Sequence, residues 1–444
     1  MLKRNTIQTH ISLLVLFIYC IASVSAMNKV NLKNGMQLSS QLTSSNTIYI
    51  IEFSFDLAGK TINIPNNSTL FFLGGALING TIILNNTNLI NPSFRKVHFK
   101  GSTPVDYFNI SDYGAISGAN DDCSVLINEL ISLKSNDKSE RNSKTIHIPN
   151  GTFYLKSPIQ LWAGWEAPVT LEGNGNTSTL CQTTNNEYIL KVFECHYIKN
   201  LRLTYKQSQD RNRNKSVAIA CQRSIFCNFE NLTISKSHSA FGYISLGDQS
   251  GGFNPTKYKQ QCYVSCNFRN IRIYECSGFA LDFKKEIPQG DSGSVFDNIY
   301  INCLDWGGGA RENISRGAFR GDNTMASFSQ LNVEGPNYNE PLIYLSGMSR
   351  VSIQSFHIEA LVNTKSIAKT TIQSALSINI LDIQSCSFKD SKFVAFDISD
   401  SGLVNVQMLT IRQDCKRNNN SQAVLTNNSK RFLIRQLFDS VKLF

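Results

Sequence analysis

Charge is sparse in this chain: Asp, Glu, Lys and Arg make up 17% of its 444 residues, and no compact run of Lys and Arg occurs. That argues against a nucleic-acid-binding arm. Past residue 26 no stretch is apolar over the ~20 residues that a membrane-spanning helix needs. Nor do the 12 cysteines and six histidines form a group with the paired spacing of a zinc site, so no metal and no cofactor is expected. The 41% hydrophobic content suits a folded chain rather than a disordered one.

The N-terminus joins Lys3 and Arg4 to an apolar run from Ile11 to about Val24, followed by Val24-Ser25-Ala26. This has the form of a secretory signal peptide cut after Ala26, so export is expected, to the medium, periplasm or cell surface. Cys20 is a poor lipidation site, because Tyr19 stands where a small residue is preferred. Removing Lys3 and Arg4 takes the formal charge from +10 to 10 − 2 = +8. A modest basic excess suits an acidic glycan, and equally a generic solubility charge. Without Cys20, 11 cysteines remain. Most lie in strand-like runs such as Cys227-Asn228-Phe229 and Cys266-Asn267-Phe268, where the side chain reads as a small buried hydrophobe. Cys262 with Cys266, or Cys266 with Cys276, are conceivable pairs, but no disulfide framework is evident.

The stretch from Ser111 to Gly173 organises the rest. Asp121 or Asp122 can cap a helix starting near Ser124, with Leu126, Ile127, Leu130 and Ile131 on its apolar side. Lys144 to Ile148 alternates as a strand, Pro149-Asn150-Gly151 turns, and Thr152 to Leu155 begins the next strand. The run Lys144-Thr145-Ile146-His147-Ile148-Pro149-Asn150 repeats Lys60-Thr61-Ile62-Asn63-Ile64-Pro65-Asn66 almost unchanged. Residues 27–100 therefore read as a small β-rich region, either β-helical or a sandwich.

Beyond Gly173 a motif of apolar and outward residues in alternation recurs, beginning at Leu201, Leu232, Ile271, Ile299, Leu331, Phe356, Leu381 and Leu409. Short strands returning at such intervals, with Asn and Ser between them, are the mark of a solenoid. Long excursions are expected at 242–261, 288–293 and 307–323. The tail from Arg431 to Phe444 places Leu433, Ile434, Leu437, Phe438 and Val441 on one helical face and is expected to cap the far end.

Asp112-Tyr113-Gly114-Ala115, the Asp pair before the helix, Ile148-Pro149-Asn150-Gly151-Thr152-Phe153-Tyr154 and Leu171-Glu172-Gly173 together resemble the opening segment of right-handed parallel β-helix proteins of the pectate-lyase-like superfamily. The resemblance implies an all-β solenoid whose N-terminal end is closed by the short helix. It also implies a polysaccharide-acting class, with hydrolases, lyases and members of no known activity. The expected organisation is a signal peptide at 1–26, the β-rich region at 27–100, the β-helix at 101–430 and a cap at 431–444. Asn-Thr-Asp and Gly-His-Gly, the motifs of polygalacturonase-like hydrolases, are absent. Nothing clearly matches the calcium and arginine site of pectate lyases either, so no catalytic role carries over.

Stacking the repeats in register gives two outward columns, Arg272, Tyr300, Asn332, His357, Asp382 and Tyr274, Asn302, Glu334, Glu359, Gln384. Glu334 and Glu359 become stacked carboxylates with His357 on the same face, which is what acid and base catalysis of glycoside hydrolysis requires. The plainer interpretation is a ladder of hydrogen-bonded side chains. A second cluster holds Asp282, Lys284, Lys285, Asp305, Trp306, Arg311, Glu312, Arg316, Arg320 and Asp322. There Trp306 can stack on a sugar, and Arg or Lys can hold a uronate carboxylate or assist β-elimination. The catalytic candidates are thus Glu334, Glu359 and His357, and the substrate-binding candidates Tyr300, Asp305, Trp306 and Arg320. The expected function is hydrolysis or lysis of a polysaccharide. The alternative is a glycan-binding or adhesion module without catalysis.

Overall fold

A computed structural model describes residues 28–134, 143–162, 167–210, 212, 215–248, 260–287, 290–302, 315–335, 338, 340–361, 364–388, 392–412, 415–417 and 422–440. The signal segment and the excursion centres at 249–259 and 303–314 lie outside them. The chain divides into two compact units, one comprising residues up to Asp106 with Asp112–Gly114 and Ser132–Glu140, the other the remainder.

In the first unit every strand pairing is parallel. Asn28–Asn31, Thr47–Ile51, Thr69–Phe72 and Asn88–Ile90 form one sheet, and Leu77–Leu84 lies at the centre of another. Parallel pairing throughout makes this region β-helical rather than a sandwich. Its core is aromatic: Phe94 packs against Phe72, Phe99 and Tyr113 with ring centroids 4.9–5.6 Å apart.

The second unit is a right-handed parallel β-helix, the hand favoured for crossovers between parallel strands. Each full coil gives one long strand to a fourteen-stranded sheet and one short strand to a ten-stranded sheet. All eight motif positions identified from the sequence fall in the long strands, for example Tyr197–Tyr205, Ser294–Asn302 and Arg350–Glu359. The long strands are kinked. Asn200, Asn231, Asn270 and Asn298 take the left-handed backbone conformation, with φ of 57, 52, 53 and 54°. Asparagine tolerates this region because its short amide bonds locally. The kink breaks strict alternation, so Ile198 and Leu201, three residues apart, both point inward and are fully buried. The four amides form a ladder of three bonds, the Nδ2 of Asn231, Asn270 and Asn298 each donating to the Oδ1 of the preceding coil at 2.9–3.0 Å. Inside, Phe229, Phe268, Phe296 and Phe328 stack face to face at 4.2–4.9 Å. A one-residue slip would break both ladders at once, so they fix the register of the outward columns.

The helix Cys123–Ser132 begins where the Asp pair predicts. Asp122 Oδ1 accepts from the Ser124 amide at 3.0 Å and from the Lys156 amide at 3.0 Å, tying the cap to the first coils. Asn128 extends the tie by donating to the Pro158 carbonyl and accepting from the Gln160 amide. The tail corrects the sequence expectation: Phe432–Asp439 is a strand, paired in parallel with Leu403–Ile411. Its Phe432, Ile434 and Leu437 align with the inward Val404, Val406 and Leu409. A kinked strand puts inward residues at i, i+2 and i+5, a spacing that imitates a helical face.

Candidate functional site

The outward columns occur in the register expected from the sequence: Arg272, Tyr300, Asn332, His357 and Asp382 are successive partners, as are Tyr274, Asn302, Glu334, Glu359 and Gln384. Neighbouring coils are ~4.8 Å apart, so these side chains touch. Tyr300 Oη donates to Glu334 Oε2 at 2.6 Å, and Asn302 Nδ2 donates to the same oxygen at 3.0 Å. Burial, and then the bond to Glu334, push the Tyr300 phenol up to about 12. His357 lies between two carboxylates, Nε2 3.5 Å from Glu359 and Nδ1 3.1 Å from Asp382. Arg412 grips Asp382 through two nitrogens at 2.7 and 3.1 Å. Burial alone would raise the Asp382 carboxyl, but the hydrogen bonds and charges of Arg412 and His357 outweigh it and hold the pKa below the usual value. The column is thus well hydrogen-bonded internally, and its two glutamates stand in different surroundings.

Arg320 is elsewhere. It belongs to Gly317–Asp322 in the ten-stranded sheet, next to Asp282 of Phe279–Phe283. Its Nε and Nη2 reach the two Asp282 oxygens at 2.6 and 2.5 Å, and its guanidinium lies 4.8 Å from the Phe279 ring centroid. This pair lines a cleft of about 680 Å³ with Lys215, Lys284, Arg316 and Glu286, a size typical of a ligand site. Asn186, Asn212, Gln261 and Ser245 add amides and a hydroxyl to its walls. Among the described residues Lys215 and Lys284 have no ion-pair partner, so the lining keeps a positive excess.

Buried ion pairs hold the cleft in shape. Lys191 Nζ is 2.7 Å from Asp248 Oδ2, with side chains 0% and 4% exposed. Asp248 ends the segment Ile244–Asp248, which is held further by the Ser245 amide on Tyr188 Oη and the Leu246 amide on Glu286 Oε2. On the other side Lys285 Nζ is 3.0 Å from Asp291, which also accepts from Tyr243 Oη, the Tyr263 amide and Thr324 Oγ1. Burial raises the Asp291 carboxyl, opposed by Lys285. His238 borders the same cleft, and Gly278 leaves room for its ring: a Cβ at 278 would lie 2.5 Å from His238 Cε1.

The structure therefore joins Tyr300, Glu334, His357 and Glu359 in two adjacent columns of the long sheet and places Arg320 with Asp282 in a cleft on the other sheet. Asp305 and Trp306 lie outside the described residues. Trp162 packs on Tyr188, Val217, Ala220 and Ile244, and Trp165 lies outside the described residues. Sequence reasoning missed Lys215, His238, Tyr243 and the Lys191–Asp248 pair. Proximity to the 242–261 excursion could have pointed to His238, Tyr243 and Asp248, and nothing in the sequence marks Lys191 or Lys215. Among the described residues no group of three or more His, Cys, Asp or Glu is arranged to hold a metal, and no helix is long and apolar enough to cross a membrane.

The fold is a right-handed parallel β-helix, and its opening segment is similar to a pectate-lyase-like family. The family described as "Rhamnogalacturonase A/epimerase, pectate lyase-like" matches residues 107–197, the span that contains the helix cap and the first coils. No curated protein matches the chain. Among solved structures, a tailspike of Acinetobacter phage vb_AbaP_AS12 is similar at 9% identity and a TM-score of 0.42, over 76% of this chain and 63% of that one. The catalytic unit of a GH87 α-1,3-glucanase from Streptomyces thermodiastaticus is similar at 10% identity and a TM-score of 0.33, over 77% and 69%. A family 28 exopolygalacturonase of Yersinia enterocolitica is similar at 8% identity and a TM-score of 0.29, over 77% and 79%.

Proposed function

We propose that this chain is an exported polysaccharide-degrading β-helix protein that takes an acidic polysaccharide into the cleft of the ten-stranded sheet and cleaves it by β-elimination. The observation that carries this reading is the cleft itself, where Lys215, Lys284, Arg316 and Arg320 converge while both lining carboxylates are already engaged, Asp282 by Arg320 and Glu286 by the Leu246 amide. A uronate carboxylate placed among the cations is neutralised, which acidifies the adjacent C–H bond and stabilises the charge that forms when its proton leaves. His238, the imidazole in the lining, is the base that accepts that proton, and the glycosidic oxygen departs to leave an unsaturated uronate. Hydrolysis needs a carboxylic acid and a carboxylate free to act, which the cleft does not offer.

A second reading rests on a different observation, the column of Glu334 and Glu359. His357 contacts Glu359 and Asp382 while Tyr300 and Asn302 donate to Glu334, an asymmetry of the kind that separates an acid from a base. On that reading Glu334, Glu359 and His357 hydrolyse a glycosidic bond, and Tyr300 contacts the sugar.

Incubating the chain with neutral and acidic polysaccharides while following reducing ends and ultraviolet absorbance decides between them. Unsaturated product, lost in a Lys215→Gln/Lys284→Gln variant and kept in Glu334→Gln, supports the cleft. New reducing ends without unsaturation, lost in Glu334→Gln or Glu359→Gln, replace it with the column. Binding without product makes the chain a glycan-binding module and overturns both.

A further inference from the structure

Of the ten described cysteines nine are buried. Their placement is not random with respect to the stack. Cys227 and Cys266 each stand immediately before a long strand, and the strands pair in register, Asn228 with Asn267, so the two cysteines occupy the same position on adjacent coils. The Asn267 amide donates to the Cys227 carbonyl at 3.0 Å, which places the two backbones side by side there. Both side chains are 0% exposed, and their sulfurs point to the same side, Cys227 Sγ 3.1 Å from the Phe193 carbonyl and Cys266 Sγ 3.3 Å from the Ser224 carbonyl. The arrangement occurs a second time. Ser387 pairs with Lys416, so Cys386 and Cys415, both buried, are also stacked one coil apart. Coil spacing of ~4.8 Å lies within the separation of about 4.4–6.8 Å between Cα atoms that a disulfide spans.

We infer that Cys227–Cys266 and Cys386–Cys415 are oxidation sites that form inter-coil disulfides, each stapling one coil of the solenoid to the next. Formation is thiol–disulfide exchange with a small-molecule or protein disulfide. One thiolate attacks the donor disulfide and releases one donor thiol. The second cysteine's thiolate then attacks the mixed bond and releases the other, so the cysteine pair loses two electrons and two protons and the donor gains them. The pairs differ from Cys262–Cys266 and Cys266–Cys276, the pairings suggested by sequence proximity, because stacking brings together residues 39 apart. The coil enclosed by Cys227 and Cys266 carries His238, Gly242, Tyr243, Ser245 and Gln261 of the cleft, so this staple closes the coil that supplies one wall. The inference does not depend on the reaction assigned to the cleft.

The test is to refold the full chain with a reduced and oxidised glutathione mixture, then measure intact mass, free thiols in denaturant and disulfide-linked peptides. The expected result is a mass lower by about 4 Da than the reduced chain, from two disulfides that each remove two hydrogens. The linked peptides should contain Cys227 with Cys266 and Cys386 with Cys415. The oxidised chain should melt roughly 6–13 °C above the reduced one. Cys266→Ser should lose the first link and retain the second, and Cys415→Ser the reverse. Fully free thiols after oxidation, or links that join other cysteines, overturn the inference.

Discussion

Lys191 and Asp248 offer the most direct check on how the cleft is held. Their side chains are 0% and 4% exposed and their charges 2.7 Å apart, across 57 residues of sequence. Asp248→Leu leaves a buried ammonium without its carboxylate, a change that costs about 3–5 kcal/mol. Unfolding entropy of ~2 cal/mol/K per residue gives a unit of roughly 300 residues a loss of about 5–8 °C in melting temperature. Lys191→Met alone should cost a similar amount, because it leaves the carboxylate buried instead. The double variant Lys191→Met/Asp248→Leu should recover most of the loss, to within about 1–2 kcal/mol of the parent, since a packed apolar pair removes both desolvation terms. Differential scanning calorimetry of the four proteins measures this, and binding of an acidic oligosaccharide reports whether the segment Ile244–Asp248 keeps its place. Additive single losses, with the double variant the least stable of the four, would refute the claim that the pair is a desolvated unit.

His196 should make the protein acid-sensitive. Burial lowers its pKa from 6.5 to about 4, against the bonds it makes, and its Nδ1 accepts from the Val169 amide at 3.0 Å. The unfolded chain takes up the proton first, so stability is complete above about pH 6.5 and falls by about 3 kcal/mol as pH drops towards 4. Urea denaturation at several pH values measures this, and His196→Gln should flatten the profile. Phe268→Ala removes a ring stacked between Phe229 and Phe296 at 4.9 and 4.2 Å, and should cost about 3–5 kcal/mol by the same assay. Asn270→Ala removes a link of the amide ladder and leaves alanine in the left-handed backbone region, which it adopts less readily than asparagine. A loss of roughly 1–3 kcal/mol is expected, with Asn270→Gly recovering the backbone part.

The fold was legible in the sequence because a solenoid writes its period there. The alternating apolar residues at Leu201, Leu232, Ile271 and onward locate the long strands, and aligning them yields the observed pairing of Glu334 with Glu359 and Tyr300 with Asn332. The Asp pair located the helix start for a local reason, since an N-cap acts over two or three residues. The tail was misread because Phe432, Ile434 and Leu437 carry a mid-strand kink, whose spacing a sequence pattern cannot tell from a helical turn. Only the tertiary structure decided the rest. Which partners Glu334 and His357 take, that Arg320 is bound to Asp282 within the short sheet, and that Lys191 and Asp248 bury their charges together depend on contacts between coils 25 to 57 residues apart. Periodicity records which side of a strand a residue faces. It does not record which side chain from another coil waits there, because variable excursions between strands change the sequence distance from one coil to the next.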